Sequence, residues 1–180
     1  MLRPHRIAVI GATGSGKTTL AQDLAKLLGI VHIELDAFYW GPNWTQPDPE
    51  DFLARTKGVL QTDGWVVDGN YSEIRGLVWS EADTVVWLNY SLLVVLRQLF
   101  RRTVRRFIRK EVLWNGNIED WREHFLSTES LFVYAVRHTF RFRRLYRSFF
   151  QDPQYAYLQM IELRSPGQTR DWLAGLSDQC

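Results

Sequence analysis

Apolar positions along the chain alternate between two periods. Short, nearly continuous apolar runs at 6–10, 30–35, 65–67, 84–88 and 156–163 each predict a strand buried on both faces of a parallel sheet. Between them the apolar residues recur every three or four positions, which predicts helices. The first helix carries Leu20, Leu24, Leu27 and Leu28 on one face and stops at Gly29. A second starts at an Asp48 N-cap, with Pro49 at its first position and Glu50 and Asp51 in its first turn. It runs to about Thr62 with Phe52, Leu53, Val59 and Leu60 inward. A long one over about 92–108 places Leu92, Leu96, Leu99, Phe100, Phe107 and Ile108 inward. Further helical patterns cover about 118–126, 128–150 (with Ser127 or Thr128 as cap) and 166–176. Turn formers mark loops at 41–47 and at Trp114-Asn115-Gly116-Asn117. Strands alternating with helices predict an α/β fold with a parallel sheet of about five strands flanked by helices.

Bulk properties narrow the class. A chain of 180 residues, 46% apolar and 23% charged, reads as one globular domain without repeats. The net charge is only +2, but arginines cluster at Arg97, Arg101, Arg102, Arg105, Arg106 and Arg109, and again at Arg137, Arg141, Arg143, Arg144 and Arg147. The one cysteine is Cys180, which excludes an internal disulfide or a cysteine-built metal site. The stretch 85–96 is too short to span a bilayer, and no secretory leader precedes the first strand, so the expectation is a cytoplasmic protein with no membrane partner.

The candidate chemistry starts between the first strand and the first helix. Gly11-Ala12-Thr13-Gly14-Ser15-Gly16-Lys17-Thr18 fits the phosphate-loop pattern G-x-x-x-x-G-K-[ST] at every fixed position. Strand, glycine loop and helix in that order aim backbone N–H groups and a positive helix end at one point, so ATP is the expected ligand. Gly11, Gly14, Ser15, Gly16, Lys17, Thr18 and Thr19 are the expected phosphate contacts. Lys17 reaches the β- and γ-phosphates, and the Thr18 hydroxyl ligates Mg²⁺. Ligands of such sheets collect at the carboxyl ends of the strands, where Asp36 and Asp68 also fall. Asp36 suits a base or acceptor ligand, and Asp68 a metal-associated acid. Tyr39 and Tyr71 are candidate acceptor walls together with Phe38, Trp40 and Trp44, Arg75 is a candidate anion contact, and Trp65, Trp79 and Trp87 read as packing. Arg97 and Arg101, and beside them Arg102, are candidates for stabilising the transferred phosphoryl group.

These residues carry a resemblance. The phosphate loop, Asp36, Asp68-Gly69, the run 82–88, Arg97 and Arg101 resemble the adenylate-kinase and nucleoside-kinase branch of P-loop proteins. Glu34-Leu35-Asp36-Ala37-Phe38-Tyr39-Trp40, Asp68-Gly69-Asn70-Tyr71, Leu113-Trp114-Asn115-Gly116-Asn117 and Leu163-Arg164-Ser165-Pro166 are similar to adenylate-kinase-related proteins often labelled DNA topology modulation proteins. The resemblance implies a P-loop NTPase core, an acceptor segment over about 37–64, an arginine-rich helical lid over about 102–150, and a nucleotide-facing loop at Arg164 and Pro166. It departs from monophosphate kinases where Asn70-Tyr71-Ser72 follows the Asp-Gly turn. The combined expectation is an ATP- and Mg²⁺-dependent phosphotransferase acting on a nucleoside, nucleotide or hydroxylated metabolite, as a monomer or homodimer. The alternative is a nucleotide-regulated protein whose arginine helices dock on nucleic acid, which the interleaved Leu, Phe and Val disfavour.

Overall fold

The apolar run Arg6–Gly11 becomes strand β1 at the centre of the sheet, because Ile7, Ala8, Val9 and Ile10 are all buried and need cover on both sides. The computed structural model describes residues 5–118 and 131–178. After β1 come α1 (Lys17–Leu28), β2 (Val31–Glu34), α2 (Leu35–Tyr39), α3 (Pro49–Val59), β3 (Trp65–Asp68), α4 (Ser72–Glu81), β4 (Thr84–Leu88) and α5 (Leu92–Arg109). They are followed by α6 (Leu131–Phe150), β5 (Gln159–Leu163) and α7 (Pro166–Ser177). The five strands form one sheet in the order β2-β3-β1-β4-β5, and every pairing is parallel. This is the α/β architecture the alternation predicts.

Side chains of β1 alternate between two cores. Ile7 and Val9 join Leu20, Leu24 and Leu28 of α1 and Trp172 and Leu173 of α7 on one face. Ala8 and Ile10 face the other way, among Phe52 of α3, Ile74, Val78 and Trp79 of α4, and Tyr146 of α6. Trp65, Trp79 and Trp87 are buried in this second core, as expected of packing residues.

Several expectations are corrected. The second strand ends at Glu34, and Asp36 sits in the first turn of α2, where a carboxylate meets the positive helix end. The pattern gives no element between Asp68 and Thr84, yet α4 lies there, burying Ile74, Val78 and Trp79. Its buried face is only those three residues, and Tyr71 provides no side-chain cap, so the local signal is weak. Leu53 is exposed, because the buried stripe of α3 is Phe52 and Thr56, continued by Leu60. On α5 the buried stripe is Val95, Leu99 and Thr103, while Phe100, Phe107 and Ile108 are 51%, 55% and 72% exposed. The helix is apolar on more than one side, and the side that goes in is the one that meets the phosphate loop at Gly14 and packs in the core with Val95. The final strand begins at Gln159, after a 3₁₀ turn over Pro153–Tyr155. The expected helix over 118–126 and its neighbour's cap at Ser127 or Thr128 lie outside the described residues, apart from Ile118, which bridges to Val112.

One glycine fixes how α5 meets the phosphate loop. Gly14 has φ +83°, and a Cβ there would lie 2.8 Å from the Cβ of Leu99. Gly14→Ala therefore combines left-handed strain with a clash against packed helix. It is expected to destabilise the protein by about 1–3 kcal/mol, checked by denaturant unfolding. Wild-type stability in this variant would show that α5 does not seat on the loop.

Candidate active site

The phosphate loop closes as local chemistry dictates. The chain leaves β1 at Gly11, turns through a Ser15 N–H to Ala12 carbonyl hydrogen bond of 3.0 Å, and enters α1 at Gly16. Gly16 offers no side-chain cap, so the first N–H groups of α1 are left for an anion. Ser15 is buried, and its Oγ has no hydrogen-bond partner.

Lys17, the first residue of α1, turns back over this loop and donates to the Ala12 carbonyl at 3.2 Å. Burial pulls its ammonium below the usual lysine range; Asp36 and Asp68 oppose that shift and Arg102 adds to it. The next side chain, Thr18, donates from Oγ1 to Asp68 Oδ2 at 2.6 Å. The other Asp68 oxygen meets His32 Nε2 at 2.7 Å, and Asp68 is only 3% exposed. His32 was not among the expected site residues. It reaches Asp68 because β2 and β3 are neighbours in the sheet.

Asn70 is a second residue the motifs do not reveal. Its carboxamide donates to the Gly11 carbonyl and accepts from the Gly11 N–H, at 3.2 Å, so it holds both polar groups of the residue where the loop begins. Gly69 permits this close passage: its φ is +147°, and a Cβ would lie 2.9 Å from Leu35.

On the acceptor side, the Tyr71 hydroxyl donates to Asp36 Oδ1 at 2.6 Å. Tyr39 packs against Tyr71 with centroids 4.3 Å apart, so three of the expected acceptor residues meet. Arg75 lines a small cavity with Tyr71 and lays its guanidinium carbon 5.0 Å from the centre of the Phe149 ring. Burial pushes the Glu34 carboxyl above its ordinary range while the Trp114 side chain hydrogen-bonds to it.

The turn Trp114–Asn117 falls where turn formers predict it and is docked on the loop after α2. Asn115 donates to the Trp40 carbonyl at 2.6 Å, and Asn117 donates to the Gly41 carbonyl at 2.9 Å. Asn117 also accepts from the Trp44 N–H at 3.1 Å. Both loops need these bonds, since Asn43, Trp44 and Asn115 hold left-handed conformations.

The arginines divide sharply. Arg97 and Arg101 are exposed, and Arg101 lines a surface groove with Phe100, Val104 and Ile108. Arg102 is the α5 arginine whose charge falls on Lys17. In α6, Arg137, Arg141 and Arg144 are exposed, whereas Arg143 donates to Asn89 Oδ1 at 2.8 Å and to the Tyr90 carbonyl at 2.6 Å. Arg164 is exposed and pairs with Glu162 at 2.8 Å, and Pro166 opens α7 behind a Ser165 cap. Glu162 also accepts from Asn89 at 2.5 Å, which joins Arg143 and Arg164 in one network across the ends of β4 and β5.

Fold and loop together define the P-loop NTPase fold. Among solved structures, the shikimate kinase from Acinetobacter baumannii in complex with shikimate matches with a TM-score of 0.57 at 18% identity, covering 98% of this chain and 93% of that one. A gluconokinase from Sinorhizobium meliloti 1021 matches at 0.52 and 20%, again over 98% and 93%. A shikimate kinase from Bacteroides thetaiotaomicron matches at 0.54 and 18%, over 98% of both chains. At such identities the likeness establishes the fold, that of P-loop small-molecule kinases. In sequence, the chain is 29% identical over 128 residues, 70% of its length, to the uncharacterized protein YqaC of Bacillus subtilis (strain 168), covering 71% of that protein. No protein-family model matches. The DNA-topology label suggested by the resemblance finds no support in these likenesses. Among the described residues, no helix is long and apolar enough to cross a membrane.

Proposed function

We propose that this protein is an ATP- and Mg²⁺-dependent phosphotransferase that phosphorylates a hydroxyl group of a small molecule. The observation that carries this reading is the pairing of Asp36 with Tyr71 at 2.6 Å beside a half-buried Lys17. A hydroxyl acceptor carries a proton that must leave, and a positioned carboxylate accepts it. The structural neighbours described as shikimate kinase and gluconokinase point the same way.

Thr18 and Asp68 fit a magnesium ion, since a hydroxyl and a nearly buried carboxylate already converge beside the loop, and Mg²⁺ takes oxygen ligands. When bound, it supplies charge neutralisation on the phosphates. In the transfer, the acceptor oxygen bonds to the γ-phosphorus, the bond from that phosphorus to the β–γ bridging oxygen breaks, and ADP departs. The acceptor proton goes to Asp36. Lys17 and the N–H groups of α1 hold the oxygens as charge shifts, and Arg102 is the arginine placed to assist. Arg164 and Pro166 flank the nucleotide base.

Incubation with γ-labelled ATP, Mg²⁺ and pooled hydroxyl compounds tests the reading. Label should appear on an acceptor with wild-type protein and stay at background with Lys17→Ala. Label released only as inorganic phosphate would mark a hydrolase and overturn the kinase reading.

A further inference from the structure

Charge around the acceptor side of the sheet edge is mainly negative. Glu34 closes β2 in register with Asp68 of β3, and Asp36 follows two residues on in α2. Glu73 faces Tyr39 closely enough for its charge to act on the phenol. The nearby cations already have other engagements. Lys17 lies on the phosphate loop with Arg102 beside it, Arg75 lines a small cavity with Tyr71 but lays its guanidinium over Phe149, Arg143 binds Asn89 and Tyr90, and Arg164 binds Glu162.

The same edge carries a row of rings. Tyr39, Trp40, Trp44 and Trp114 follow one another with centroid spacings of 5.0, 5.6 and 6.4 Å. Trp114 ends that row and hydrogen-bonds Glu34, and it is fixed in turn by the two asparagines that grip the Trp40 and Gly41 carbonyls. The Trp-Asn-Gly-Asn turn therefore positions both a carboxylate and an aromatic face.

Ionised carboxylates only accept hydrogen bonds, so they suit hydroxyl and ammonium groups and repel anions. Indole faces suit the C–H side of a sugar ring or a cation. Resting on the kinase reading above, we propose that the acceptor is a sugar-like polyol without negative charge, a neutral or amino sugar. Glu34 and Asp36 receive its polar groups, and the Trp40–Trp44–Trp114 row bears its carbon face. Glu34 is a specificity-determining residue, and Trp114 positions it.

The test separates acceptor classes. Wild-type protein with MgATP is given neutral sugars and alditols, amino sugars, carboxylated alcohols (shikimate and gluconate), or nucleoside monophosphates, and products are weighed by mass spectrometry. Turnover should be at least about tenfold faster with one of the first two sets, the size of one hydrogen bond to a charged group. Faster transfer to an anionic set overturns the acceptor class and leaves the kinase reading standing. No transfer to any set overturns both. With the acceptor found, Glu34→Gln should raise its KM about tenfold, leave the KM for ATP unchanged, and keep the melting temperature at or above wild type. An unchanged acceptor KM, or a fall in melting temperature with both KM values altered, assigns Glu34 to structure and overturns its role.

Discussion

Replacing Lys17 by alanine is expected to lower phosphoryl transfer by about 10²–10³-fold, in line with the loss of one pre-organised group from a water-poor site. The size of the effect follows from partial burial against the loop. Away from water, a cation interacts strongly with charge that develops on a phosphate, and its place is already set by the Ala12 carbonyl at 3.2 Å. Burial disfavours this ammonium before any phosphate arrives, and Asp36 and Asp68 compensate only in part. A bound triphosphate would complete the compensation. Removing the cation relieves its desolvation, so the variant should still fold. Single-turnover rates, with circular dichroism as a check on folding, measure the effect. A folded Lys17→Ala protein that transfers phosphate at the wild-type rate would sink the kinase reading.

The second large effect is expected at Asp36. Asp36→Asn keeps an oxygen to accept from the Tyr71 hydroxyl, so the geometry around Tyr39 and Tyr71 should persist. What it loses is the capacity to take a proton. The kcat should fall by about 10²–10⁴-fold with little change in ATP binding. Arg75→Ala should cost far less turnover, because Arg75 is spent on the Phe149 ring. The contrast matters more than either number. If Asp36→Asn keeps its kcat while Arg75→Ala or Arg101→Ala abolishes it, the acceptor is an anion, and the hydroxyl assignment is wrong.

The phosphate loop was legible because its chemistry is local. Gly11 to Thr18 are consecutive, the strand before them and the helix after them are set by short-range patterns, and the structure places all three as expected. The five strands were legible for the same reason, since each follows from a short apolar run, although only β1, β3 and β4 are buried nearly throughout and the edge strands β2 and β5 stay partly exposed. Helix α4 was not, because its cover comes from the sheet and from α6, and its own sequence signals neither start nor stop.

Side-chain choice within a pattern was harder still. Every third or fourth position of α5 is apolar on more than one face, so Phe100 and Leu99 look alike in the sequence. Tertiary packing, including the close approach of Gly14 to Leu99, puts Leu99 inside and leaves Phe100 outside. The arginines follow that decision: Arg102 is turned toward Lys17 and Arg101 away, although they are neighbours in the chain.

By itself, then, the sequence determined the elements whose reasons lie within a few residues: the loop that cradles phosphate, the strands, and the placing of Asp68 at the end of β3 and of Asp36 just past β2. Tertiary structure decided which distant groups those elements meet. His32 reaches Asp68 across two strands, Asn70 holds Gly11 from 59 positions away, and Asn115 and Asn117 grip a loop some 75 positions earlier. Such pairings leave no periodic mark, because a polar side chain's partner is fixed by how sheets and helices stack and not by its neighbours in the chain.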